Sequence, residues 1–220
     1  VHGLFRDVFT GVDTRQKKAI PIGELHMLLN KDPQSEKLRR TQAIANLLFQ
    51  FCGMPFSDLA HLEKSNLERG LLKYNRTKTG TPMSIEVLES AQNAIGGLYN
   101  KSDARSSGYP DYLFRILSGA YKRNEEGAYR EYQSALRRFN NELKSLSRKL
   151  RLHSPVTSYT LRHSWATTAK YRGVPIEMIS ESLGHKSIKT TQIYLKGFEL
   201  EERTKVNKLN YSYVCNFKML

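Results

Sequence analysis

A mainly α-helical fold with a small antiparallel β-sheet is predicted by three observations. Apolar residues recur at three- and four-residue spacing along most of the chain. That period fails between about Leu67 and Val87, where short apolar runs flank a basic turn. Turn residues at Asp32-Pro33, Gly53 and Gly173-Val174-Pro175 punctuate the periodic segments.

Taken in order, residues 1 to 20 are polar and basic around Arg15-Gln16-Lys17-Lys18 and read as a linker. Pro21 starts a helix with Leu25, Leu28 and Leu29 on one face, and Asp32-Pro33 breaks it. Ser35 caps a longer helix, with Leu38, Ile44, Leu47, Leu48 and Phe51 inward and Gly53 as its C-terminal cap. A short helix starts at Phe56 and ends near Leu62. Leu67, Leu71–Tyr74 and Pro82–Val87 read as strands, joined by Arg76-Thr77-Lys78-Thr79-Gly80. Helices are then expected over 88–98 and 111–121, with a loop over 102–110 between them. From Ala128 to Leu150 the apolar set Tyr132, Leu136, Phe139, Leu143, Leu146 and Leu150 marks an amphipathic helix. Thr157-Ser158 precede a further helix, Pro175 opens the next, Ser187 or Lys189 begins another, and residues 198–209 form the last.

The chain carries 35 basic and 21 acidic side chains, a net charge of +14. Such an excess fits a nucleic-acid partner and says nothing about the fold. Residues 101 to 151 alone hold 12 basic and 6 acidic side chains. Arg137, Arg138, Lys144, Arg148 and Lys149 line the polar face of the amphipathic helix, either as a solvated face or as phosphate contacts. Two cysteines far apart argue against a disulfide framework and fit a reducing cytoplasm. The six histidines show no zinc spacing, so no metal or other cofactor is expected. No apolar run approaches a membrane span, and the N-terminus does not read as a signal peptide.

The chemistry lies in the last third. Thr160-Leu161-Arg162-His163-Ser164-Trp165-Ala166-Thr167 is followed by Leu183-Gly184-His185, and Tyr194 comes nine residues after His185. Arginine can clamp phosphate oxygens in a bidentate fork. Histidine can donate a hydrogen bond or shuttle a proton. Tyrosine can hold the broken strand covalently. Taken singly, Tyr194 would be a core residue, Arg162 a surface residue and His185 a helix cap. Their order and spacing favour phosphodiester chemistry.

Arg-His-x-x-Ala-Thr, Leu-Gly-His and the tyrosine nine residues on resemble the catalytic domain of tyrosine recombinases (integrases). Thr191-Gln192-Ile193-Tyr194 and Arg162-His163-Ser164-Trp165-Ala166 are most similar to the branch carried by mobile elements of Bacteroides-type bacteria. The resemblance implies the DNA breaking-rejoining fold and strand exchange through a 3′-phosphotyrosyl link. It implies double-stranded DNA as partner, a monomer in isolation and a homo-tetramer on paired sites, with the last helix passing between subunits. A small helical DNA-clamping domain precedes the catalytic domain in that family. Residues 1–20 then read as a linker remnant, 21–210 as the catalytic domain and 211–220 as a tail.

Residue by residue, the resemblance implies Tyr194 as nucleophile, Arg162 as phosphate clamp, His185 as phosphate ligand or proton relay, and Lys78 as acid to the 5′-oxygen. Tyr159 stands where the family has a histidine, and a phenol is a poor general base near neutrality. Asp58 matches the family's acidic partner. The family's first arginine falls on Pro55 or Cys52, neither of which is charged; Arg69 and Arg76 are the nearby alternatives. A catalytically inactive DNA-binding protein on the same scaffold is therefore the rival reading.

Overall fold

The computed structural model describes residues 19–100, 109–195 and 200–216. Its helices are α1 (Ile22–Asn30), α2 (Glu36–Gln50), α3 (Phe56–Ala60), α4 (Glu89–Leu98), α5 (Glu126–Lys149), α6 (Ser158–Tyr171), α7 (Ile176–Ser182), α8 (Ile188–Leu195) and α9 (Leu200–Cys215). Strands β1 (Leu67–Glu68), β2 (Leu71–Asn75) and β3 (Pro82–Glu86) form one antiparallel sheet in that order. The expected mainly α architecture with a small sheet is present.

A large apolar core gathers α1 to α5 and the sheet. Its α5 stripe of Ala135, Phe139, Leu143, Leu146 and Leu150 packs on α2 and α3. Phe139 stacks on Phe56 of α3 with ring centroids 4.8 Å apart. In the sheet Leu72 pairs with Ile85, and both are buried, so the register is fixed by the face that leaves water. A second, smaller cluster joins Ala166 of α6, Ile179 and Leu183 at α7, and Leu195 of α8, with Trp165 and Tyr194 packed against it. Helix α6 bridges the two: Leu161 belongs to the large core and Ala166 to the small one. Arg162 sits between them.

Four expectations need correction. No helix forms over 111–121. Tyr112, Leu113, Phe114 and Leu117 are buried on an extended strap, with bridges from Tyr112 to Glu63 and from Phe114 to Tyr99. Its Leu113 N–H donates to the Leu62 carbonyl (2.7 Å) and its Arg115 N–H to the Leu98 carbonyl (3.2 Å). Three consecutive buried residues have no helical period, and tertiary pairing decides so short a run. Helix α2 ends at Gln50, and the first left-handed residue after it is Cys52 (φ 54°), followed by Gly53 (φ 64°). Gly53 serves close approach instead: a Cβ there would lie 3.1 Å from the Trp165 Cβ and 3.2 Å from the Arg162 Cα. Ser35 holds the N-cap position of α2 without a side-chain cap bond. The last helix starts at Leu200 and runs to Cys215, past its expected end at 209, and its side chains from Arg203 to Cys215 are exposed. Residues 1–18, 102–108 and Gly197, which carry the linker, most of the loop and the turn before that helix, lie outside the described residues.

Candidate active site

Three local structures aim the functional side chains. Thr157 caps α6: its hydroxyl accepts from the Thr160 N–H (3.1 Å), while the Thr160 hydroxyl accepts from the Thr157 N–H (2.8 Å). That cap fixes the first turn, and Arg162 follows on the next. Helix α7 ends in a Schellman motif. Gly184 is left-handed (φ 64°), its N–H donates to the Glu181 carbonyl (2.8 Å), and the His185 N–H donates to the Ser180 carbonyl (3.0 Å). The motif satisfies those two end carbonyls and leaves that of Leu183 for other donors. The β2–β3 turn closes through the Gly80 N–H to the Arg76 carbonyl (2.8 Å) and the Arg76 N–H to the Thr81 carbonyl (2.9 Å).

The Leu183 carbonyl is the hub. Arg162 Nη2 donates to it (2.7 Å), and so does Arg76 Nη1. Arg162 also donates through Nη1 to the Gly53 carbonyl (2.9 Å) and lies 3.3 Å from His185 Nε2. His185 Nδ1 lies 2.8 Å from the Thr191 hydroxyl. A neutral imidazole protonated at Nδ1 fits both contacts, giving to Thr191 and accepting from Arg162. Arg76 pairs with Asp58 through Nε at 2.7 Å, and both side chains are almost fully buried. The Thr77 N–H donates to the other Asp58 oxygen (3.2 Å), tying the turn to α3.

Tyr194 of α8 lies in an aromatic enclosure. Its ring meets His163 at 5.1 Å, Tyr159 at 5.8 Å and His185 at 5.9 Å, each edge to face. Burial and the neighbouring Tyr159 push its hydroxyl above the usual phenol range, and Arg162 pulls partly the other way. Burial, followed by the charge of Arg76, lowers the Arg162 guanidinium to about 10. Burial first, then the charges of Arg162, Arg76 and Lys78, lower His185 to about 4.

The His185 value carries a stability prediction. Between about pH 6.5 and 4 the unfolded chain binds a proton at this residue that the folded chain refuses, so stability falls as pH falls through that window. His185→Gln should therefore lose less Tm than the wild type between pH 7 and 5. Equal losses would show that His185 takes up its proton normally in the fold.

Of the expected site residues, Tyr194, Arg162, His185 and Tyr159 come together. Lys78 is exposed on the β2–β3 turn, close enough for its charge to act on His185. Arg76 and Arg69 are distinguished here. The Arg69 side chain is 93% exposed, whereas that of Arg76 is 7% exposed. Thr191, which is buried and bonded to His185, and the close-packing roles of Gly184 and Gly53 carry no signal in the sequence motif. His163, next to Arg162, packs its ring on that of Tyr194. The described residues include no cluster of three or more His, Cys, Asp or Glu side chains that could hold a metal. None of their helices is long and apolar enough to cross a membrane.

Arg162 on α6, His185 in the turn between α7 and α8, and the half-buried Tyr194 on α8 come together. The model of the phage integrase family matches residues 22–200. The chain belongs to the phage integrase family. It is 28% identical over 204 residues to a probable integrase/recombinase protein of Methanocaldococcus jannaschii, covering 90% of this chain and 58% of that one. To tyrosine recombinase XerD of Halalkalibacterium halodurans it is 30% identical over 190 residues, covering 82% of this chain and 57% of that one. The chain thus spans under three fifths of the length of these two relatives. The crystal structure of XerA recombinase superposes with a TM-score of 0.62 at 21% identity, covering 96% of this chain and 68% of that one. The Tn1549 transposon integrase, solved with a circular intermediate DNA, superposes at 0.58 and 16% identity, covering 89% and 67%. At these identities the two structures speak to the fold, which is that of tyrosine recombinase catalytic domains.

Proposed function

We propose that the protein is a site-specific DNA recombinase that cuts and rejoins double-stranded DNA through a 3′-phosphotyrosyl intermediate. The convergence of Arg162, His185 and Tyr194 on one site carries the reading. The Tyr194 oxygen attacks the scissile phosphorus and the bond to the 5′-oxygen breaks. Arg162 donates N–H groups to the non-bridging oxygens, where charge builds in the transition state. His185, neutral near pH 7, accepts the phenol proton, and Lys78 on the exposed β2–β3 turn gives a proton to the departing 5′-oxygen. Tyr159 donates a hydrogen bond to a phosphate oxygen in place of the family's histidine. Reversal by a new 5′-hydroxyl reseals the strand, and because the ester energy is kept in the link, neither ATP nor a metal cofactor is required.

The wording around Tyr194 favours a mobile-element recombinase acting in the bacterial cytoplasm. A homo-tetramer on paired sites is the working assembly. The exposed α9, with Val206, Leu209 and Val214 facing solvent, suits docking on a neighbouring protomer. The exposed cations Arg137, Arg138, Lys144, Arg148 and Lys149 of α5 offer phosphate contacts along the DNA flank.

A suicide DNA substrate, whose released 5′ fragment diffuses away, tests the reading. A denaturant-resistant protein–DNA complex is the expected product. Binding without any such complex would favour the binding-only protein. Affinity should also depend steeply on salt, with a slope of log K against log salt near −5 if about six phosphates are contacted. A flat salt dependence in a filter or anisotropy titration would argue against DNA as the partner.

A further inference from the structure

We propose that Arg76, from the β2–β3 turn, supplies the second guanidinium of the phosphate site, in place of the arginine missing at Cys52 and Pro55. The inference rests on the strand-cleavage reading above.

Turn residues are mostly solvated, and a buried guanidinium without a purpose is costly. Arg76 is nonetheless buried, locked to Asp58 at 2.7 Å and to the Leu183 carbonyl. A purely structural ion pair would need Asp58 alone. It gives no reason to set the same guanidinium on the carbonyl that Arg162 already uses. Two cations now sit on one carbonyl with a single carboxylate between them. The end of α7 adds a partial negative charge at Leu183, which eases the crowding without cancelling it. Burial first, and then the charge of Arg76, lower the Arg162 guanidinium. With His185 neutral, Arg76, Arg162 and Asp58 leave one uncompensated positive charge, which a phosphodiester would neutralise.

The surroundings are shaped for this arginine. A Cβ on Gly184 would lie 2.9 Å from the Arg76 Cγ and 2.7 Å from the Met83 sulfur, so the glycine of Leu183-Gly184-His185 admits the Arg76 stem. Nε faces Asp58 in an ion pair and Nη1 donates to Leu183, whereas Nη2 has neither kind of partner among the described residues. That leaves a donor for a non-bridging oxygen beside the one Arg162 serves. In the transfer step the phosphorus–5′-oxygen bond breaks as the Tyr194–phosphorus bond forms. Arg76 exchanges no proton and only holds the charge that collects on the phosphoryl oxygens.

Single-turnover cleavage of two suicide substrates tests this. One carries a normal phosphodiester and the other a methylphosphonate, which lacks one non-bridging charge, at the scissile position. Arg76→Met combined with Asp58→Asn removes both buried charges together and limits the damage to the fold. On the phosphodiester it should lose about 100-fold or more in rate, with DNA binding and the melting transition retained. On the methylphosphonate the loss should shrink by about tenfold or more, because there is less charge to balance. Equal loss on both substrates, or no loss, would overturn the proposal. If the double variant does not fold, Arg76→Lys decides: a point charge cannot reproduce the fork, so the rate should drop while Asp58 stays paired. An unchanged Arg76→Lys rate would overturn the assignment. If the wild type forms no adduct on either substrate, the strand-cleavage reading falls and Arg76 with it. An active wild type with an indifferent Arg76 sinks this inference alone.

Discussion

Tyr194→Phe abolishes the covalent protein–DNA complex while DNA binding stays nearly intact: this is the expected result with the largest effect on activity. Phenylalanine keeps the ring and its edge-to-face contacts with Tyr159, His163 and His185, so the small core around α8 keeps its shape. Only the attacking oxygen is lost. That oxygen is protonated near neutrality, because burial and Tyr159 hold its proton more tightly than in water. Attack therefore needs a proton acceptor, the role proposed for His185, whose ring lies 5.9 Å from that of Tyr194. Denaturing gel mobility or intact mass of the suicide-substrate complex reads the outcome. A complex that persists in Tyr194→Phe would move the nucleophile elsewhere. The adjacent Tyr159, 43% exposed, is the residue to replace next.

Elements with a strong period were legible before any coordinates. The stripe from Tyr132 to Leu150 became α5, and the loss of period after Leu67 became the three-stranded sheet. Arg162, His185 and Tyr194 were legible because the family motif is local: each lies at or near the start or end of a helix whose boundaries the sequence marks. Segments fixed by distant partners were not legible. Residues 111–121 hold enough apolar side chains for a helix, but their backbone pairs with Glu63 and Tyr99 instead. The second guanidinium is the same kind of case. Nothing within five residues of Arg76 says that it will be buried, since its partners Asp58 and Leu183 lie 18 and 107 positions away. Its position at the mouth of a tight turn, with the matching acid Asp58 at the start of a helix, narrows the choice to Arg69 and Arg76. Choosing between them requires the fold.

Asp58 carries the largest expected effect on stability. Asp58→Ala leaves the buried Arg76 without its carboxylate and takes away a full negative charge that offsets the Arg76–Arg162 repulsion. Breaking a buried pair by removing one partner costs about 3–5 kcal/mol, a large part of the whole stability of an ordinary domain. The Thr77 N–H would lose its acceptor as well, freeing the turn that carries Lys78. Arg162→Met should behave in the opposite way. It removes a cation that the fold already disfavours and leaves Leu183 bonded to Arg76, at the cost of one unpaired carbonyl at Gly53. Its stability change should be small, about 1–2 kcal/mol at most, while cleavage falls about 100-fold or more. Urea denaturation of the two variants beside the wild type separates them. If Asp58→Ala unfolds at the wild-type midpoint, the Asp58–Arg76 pair does not hold the site. If Arg162→Met is the less stable of the two, Arg162 is a structural arginine, and the phosphate loses its first clamp.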